Sequence, residues 1–248
     1  MNRYGTLDVT KRAAPVWANR SGEPFLLRGA TVLDVRTELD SEAAYALVPP
    51  SMRPGIPPCG VVSVTRVNDS PVGPFGLAEL RVGVRVGAMV SFFVVGAVCD
   101  SREAGSLLTE RLGLPITMGD VSMVDLYHEV SAQVVVNGSV ILQVRLTHRR
   151  VLPGTSLNTP SLVALARERA GGPLVLINTP LKFAYSQAEG GRQAIELLDG
   201  PGFGAGNDFC PTFAMSATIG TAEITFSPSD CCLDPIIPGE QSLRPLAA

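Results

Sequence analysis

Lysine is nearly missing from this chain. Of its 20 basic residues only two, Lys11 and Lys182, carry an amine. Histidine is as scarce: His128 and His148 are the only two, and neither has a cysteine at metal-ligand spacing, so no metal site is expected. The five cysteines (Cys59, Cys99, Cys210, Cys231 and Cys232) are odd in number and include no C-x-x-C, which points to free thiols in a reducing cytosol. There is no basic block and the net charge is −3, which excludes the charge footprint of a nucleic-acid binder or a polybasic membrane binder. The longest apolar run, Val86 to Cys99, has 14 residues, short of the roughly 20 that a spanning helix needs. The N-terminal stretch has no apolar core of the secretory type. No G-x-S-x-G nucleophile elbow is present. Gly202 to Gly206 (GFGAG) lacks the following G-K-[ST] and reads as a surface loop. The expectation is a cytoplasmic protein with no cofactor and with no nucleic-acid or membrane partner.

What is present is apolar and β-rich. In 248 residues 46% are hydrophobic and 17% charged, enough to bury a large core in one domain spanning 1–248. Residues 1–24 read as an irregular arm and 227–248 as an irregular tail. The 25 glycines and 20 prolines cut short Val/Ile/Leu/Phe runs throughout. Strands are expected at Ala30 to Val35, Cys59 to Val67, Phe75 to Val86, Ala88 to Val98, Leu174 to Ser186 and Phe213 to Phe226. Asp40 to Leu47 and Ser101 to Leu112 carry N-caps and early acids and read as helices. Ala132 to Leu146 is a hairpin, because Asn137-Gly138 suits a type I′ turn.

Several side chains have two readings. Glu79, in an apolar strand, is either an acid aimed into a cavity or a strand-edge residue facing water. Arg36 ends a strand and either clamps a substrate carboxylate or pairs with Glu38 or Asp40 on the surface. His128 is a general acid or base near neutral pH, or a structural histidine. His148, beside Arg149 and Arg150, reads as a solvated edge. Lys182, alone in an apolar strand, is either a desolvated Schiff-base amine or a snorkelling surface lysine.

Taken in order, these segments resemble the acetoacetate decarboxylase superfamily. The matching pieces run from about Pro24 to Phe226: V-R-T-E-L-D (Val35 to Asp40), V-P-P (Val48 to Pro50), N-D-S through G-P-F-G-L-A-E (Asn68 to Glu79), the strand Met89 to Val98, E-R-L-G-L-P (Glu110 to Pro115), the Asn-Gly hairpin and L-I-N-T-P-L-K (Leu176 to Lys182). The resemblance implies an α+β fold, with a largely antiparallel sheet curled into a double-layered barrel or cone and few helices, and a homo-oligomer. It places Arg36 at a substrate-binding arginine and Glu79 at an acidic site residue, with Ser63 where the family has a second glutamate. The family's Pro-Lys-Lys motif, whose first lysine forms the Schiff base, reads here Pro115-Ile116-Thr117-Met118. A protonated imine would absorb the charge left by decarboxylation, and Ile116 cannot form one.

The implied activity is therefore a secondary-metabolism enzyme acting on a small carbonyl substrate, polyketide-like or a keto acid. It would work by non-covalent acid–base catalysis as a cyclase, dehydratase or isomerase. Glu79, Arg36, Thr117 and His128 are the catalytic candidates, and Ile116, Met118, Ser63, Phe75 and Lys182 the substrate-binding ones. Two alternatives stand beside it: a Schiff-base lyase using Lys182, and a non-catalytic small-molecule binding protein.

Overall fold

A computed structural model describes residues 3–17, 23–154, 157, 160–204, 208–229 and 231–245. Two helices, α1 (Ser41–Leu47) and α2 (Arg102–Leu112), accompany fifteen strands among the described residues. The strands are β1 (Phe25–Leu39), β2 (Arg53–Pro54), β3 (Cys59–Val67), β4 (Phe75–Val86), β5 (Met89–Cys99), β6 (Ile116–Met118), β7 (Asp120–Leu126), β8 (Glu129–Val136), β9 (Ser139–Val151), β10 (Ser161–Arg167), β11 (Leu174–Thr179), β12 (Leu181–Leu198), β13 (Pro211–Phe226), β14 (Cys231–Leu233) and β15 (Leu243–Pro245). They form one sheet in the order β15-β14-β11-β10-β5-β4-β3-β1-β13-β12-β9-β8-β7, with β2 beside β4 and β6 beside β5. Pairing is antiparallel except at β10–β5 and β5–β6. The sheet curls without closing.

The curl follows from where the apolar residues sit. β3, β4 and β5 are buried on both faces, which is why they read as continuous apolar runs rather than alternating ones. On one face Leu33, Val64 and Leu80 pack against Val134 of β8 and Leu142 and Leu146 of β9. That contact folds the second layer over the first. On the other face Val32, Val61 and Leu77 pack with Leu108 and Leu112 of α2, Leu162 of β10 and Phe226 of β13. Two apolar cores thus share one sheet.

The local signals explain most boundaries. Asp40 accepts from the Ala43 N–H and Ser101 from the Ala104 N–H, capping α1 and α2. The β8–β9 turn holds Asn137 at φ 51° and Gly138 at φ 78°, the positive values a type I′ turn needs. The strand expected at Leu174 to Ser186 is two strands. Pro180 lacks an N–H, and there the chain leaves β10 and β14 to pair with β9 and β13. β7 and β10 were not foreseen. The arm contributes a bridge from Val16 to Arg167, and buried Trp17 donates to the Arg111 carbonyl at 3.1 Å. The tail supplies β14 and β15.

The turn at Pro201–Phe203 is pinned to the sheet at one point. A Cβ on Gly96 of β5 would lie 2.0 Å from the Phe203 carbonyl oxygen, so only glycine lets buried Phe203 seat there. Gly96→Ala is expected to cost roughly 1–3 kcal/mol by overpacking, read as a lower urea midpoint with an unchanged m-value. An unchanged midpoint would show that this contact does not hold the turn.

Candidate active site

The antiparallel register of β1, β3 and β4 sets Asp34, Ser63 and Glu79 directly opposite one another. Residues so paired project from the same face, here the face of the α2-side core. One row further on, the same register aligns Arg36, Val61 and Arg81. Asp34-x-Arg36 on β1 and Glu79-x-Arg81 on β4 are thus parallel acid-x-arginine pairs on two strands separated by β3. Asp34, Ser63, Glu79 and Arg81 are each at most 5% exposed.

The electrostatics of the row are set by Arg81. Its guanidinium donates to Glu79 Oε2 and feels the charge of Asp34, and Tyr185 of β12 stands close to it. Burial pushes the guanidinium pKa down, but the fields of Glu79 and Asp34 outweigh burial and leave it raised. Arg81 stays a cation. Four atoms of this row have no hydrogen-bond partner in the described protein: Asp34 Oδ1, Ser63 Oγ, Glu79 Oε1 and Arg81 Nε. Buried polar atoms are nearly always paired, so four orphans in one row mark a place built to meet something else. The row offers donors at Arg81 Nε and Ser63 Oγ beside acceptors at Glu79 Oε1 and Asp34 Oδ1. That set can hold a carbonyl oxygen and exchange a proton with the adjacent carbon. Glu79 and Arg81 face a narrow chamber of about 20 Å³, walled by Leu27, Leu77, Leu162, Leu181 and Phe183. The chamber has room for a water molecule, and its walls are side chains that can rotate.

The other candidates scatter. Phe75 is buried at the far end of the same β4 face, within the apolar cluster. Ile116 packs against that cluster from β6, and with Thr117 it lines a separate open cavity of about 550 Å³ shared with Arg12, Arg167 and Phe203. Met118 is largely exposed. His128 sits exposed in the turn between β7 and β8, and nothing brings it to the buried row. Lys182 is exposed on β12. Its neighbours Leu181 and Phe183 line the chamber, and strand alternation turns the residue between them outward. Sequence reasoning missed Asp34 and Arg81. The signal was the acid-x-arginine spacing at period two on two apolar strands, which places both members of each pair on one face.

A curled two-layer sheet of this kind is an architecture that known proteins share. The family model for acetoacetate decarboxylase (ADC) matches residues 13–198, and the chain belongs to that family. No curated protein matches it by sequence. Among solved structures it is similar to the acetoacetate decarboxylase of Legionella pneumophila (TM-score 0.75, 17% identity, covering 88% of this chain and 91% of that one). It is also similar to the enduracididine biosynthesis enzyme MppR complexed with pyruvate (TM-score 0.68, 16% identity, 84% and 90%). A third is an acetoacetate decarboxylase-like enzyme from Sphingomonas wittichii (TM-score 0.64, 14% identity, 84% and 92%). At these identities the likeness is one of fold. No helix among the described residues is long and apolar enough to cross a membrane.

Arg81→Met would leave Glu79 and Asp34 buried without a countercharge, and is expected to cost about 3–5 kcal/mol. The double variant Glu79→Leu/Arg81→Met should cost clearly less than the sum of its single variants in a denaturation cycle. Additive costs would show that the two side chains do not act as a pair.

Proposed function

We propose that the protein is an enzyme acting on a small carbonyl substrate by non-covalent acid–base catalysis at the Asp34–Ser63–Glu79–Arg81 row. The observation that carries this reading is the set of four buried, unpartnered polar atoms, with donors and acceptors side by side. A carbonyl oxygen seated on Arg81 Nε and Ser63 Oγ would be polarised. Glu79 Oε1 would take the proton from the α-carbon, the electron pair would move onto the oxygen, and Arg81 would hold the resulting enolate. Return of that proton to another carbon is an isomerisation. Loss of a β-hydroxyl is a dehydration, and attack of the enolate on a second carbonyl is a cyclisation. Arg36, level with Arg81 across Val61, would orient the substrate.

Covalent imine chemistry fits the chain poorly. Both lysines, Lys11 and Lys182, are exposed, and Ile116 and Thr117 stand where the family's lysine pair would be. The likeness to MppR, named for its place in enduracididine biosynthesis, supports a role in secondary metabolism. A homo-oligomer belongs to the same reading: β7 ends the sheet order and exposes Val124 and Leu126, with Tyr127 exposed in the turn that follows, an arrangement suited to pairing with another copy.

The test is exchange of the α-protons of a panel of 2-keto and 3-keto acids in D2O, followed by NMR, with borohydride trapping read by intact mass. The wild-type protein should catalyse exchange and give no adduct, and Glu79→Gln should be at least about tenfold slower. An adduct that disappears in Lys182→Ala would overturn the non-covalent mechanism. Saturable binding with no exchange or conversion would favour a binding protein instead.

A further inference from the structure

The face of β4 that carries Glu79 and Arg81 runs outward through Gly83 to Arg85. There an open cleft of about 1040 Å³ begins, lined by Cys59, Gly83, Arg85 and Arg53 among others. β2 pairs with β4 at this point, and Arg53 stands directly opposite Arg85. Like charges opposite each other in a ladder repel, so the pairing carries a folding cost that an anion between the two would relieve. Arg53 is held in place: its guanidinium lies over the Tyr4 ring, 4.1 Å from the centroid, and donates to the Tyr4 hydroxyl at 2.6 Å. Tyr4 supplies a ring and a hydroxyl to Arg53, not a carboxylate. No Asp or Glu occurs among the described lining residues, while Ile56, Pro57, Val90 and Phe92 supply apolar walls.

We propose that this cleft is an oxyanion site for the phosphate or carboxylate end of an amphipathic ligand. The apolar walls take the body of the ligand, and the two arginines take its charged end through paired, charge-assisted hydrogen bonds. The cleft and the buried row lie along one face of β4, with Cys59 and Phe92 packed beside Gly83 between them. Arg85 and Arg81 share a face four residues apart, about 13 Å along the strand. Gly83, the residue between them on that face, presents no side chain. A ligand anchored at Arg85 would reach toward Glu79 once the Phe92 ring beside Gly83 turns aside. Anion binding stands by itself; the anchor's role for a substrate rests on the catalytic reading above.

The experiment is calorimetric titration of the full chain with inorganic pyrophosphate and, separately, with succinate. Tighter binding of pyrophosphate assigns the site to phosphoryl ligands, and tighter binding of succinate to carboxylates. Arg85→Ala and Arg53→Ala should each weaken the preferred probe at least about tenfold. Arg85→Lys and Arg53→Lys, which keep the charge, should recover part of that loss. Arg150→Ala, a charge removed from the exposed surface of β9, should leave binding unchanged. No saturable binding of either probe overturns the proposal, as does an equal loss in Arg150→Ala. If the probes fail to bind while α-proton exchange still depends on Glu79, the anchor falls and the catalytic reading stands. If they bind through Arg85 and no keto acid exchanges, the cleft stands and the catalytic reading falls.

Discussion

Arg81 lies inside an apolar core between two carboxyl groups, and that arrangement requires the sheet to be built in one register. The Asp34–Ser63–Glu79 row exists only because β1, β3 and β4 align those positions. A one-residue slip of β4 would send Glu79 and Arg81 to the opposite face, into the core formed with β8 and β9. A buried guanidinium is tolerable only with acceptors at hand, and a buried carboxylate only with donors. The ion pair and the strand alignment therefore enforce each other. The low dielectric of the surrounding leucines and phenylalanines strengthens every interaction inside the row.

The curl has a consequence for chemistry. A flat sheet with a charged row on one face would expose it to water. Here α2, β10, β12 and β13 wrap that face, and the chamber beside Glu79 and Arg81 shrinks to about 20 Å³. Because the walls are leucine and phenylalanine side chains, access depends on their rotation rather than on opening the sheet. A water-excluding site with fixed dipoles suits stabilisation of an enolate.

Much of the fold was legible in the sequence. The bounds of β3 and β4, the caps of α1 and α2, and the Asn137-Gly138 turn follow from local chemistry, and local chemistry is what short-range patterns report. β7 and β10, of seven residues each, escaped although Leu162 to Ala166 of β10 form an unbroken, buried apolar run. The break at Pro180 looked like strand continuity, since both flanks are apolar and only the change of sheet neighbours separates them. At the site, the β3–β4 register sets Glu79 opposite Ser63. Arg81 and Asp34 went unseen because each is a single charge inside an apolar run. Their partnership lies across strands, in a register that no local window contains. Lys182 and His128 carry reactive side chains, but where they point depends on which face of β12 is inward and on where β7 turns into β8. Both are tertiary facts.

The central claim is that the buried row, with Arg81 at its hub, is where a carbonyl is held. A high-resolution structure of the protein with a bound keto acid tests it most directly. The account predicts the ligand's carbonyl oxygen within hydrogen-bond distance of Arg81 Nε and Ser63 Oγ, no covalent link to the chain, and the leucine and phenylalanine walls displaced to admit it. A keto acid seated instead in the cavity beside Ile116 and Thr117, with the Arg81–Glu79 pair untouched and the chamber still narrow, would contradict it.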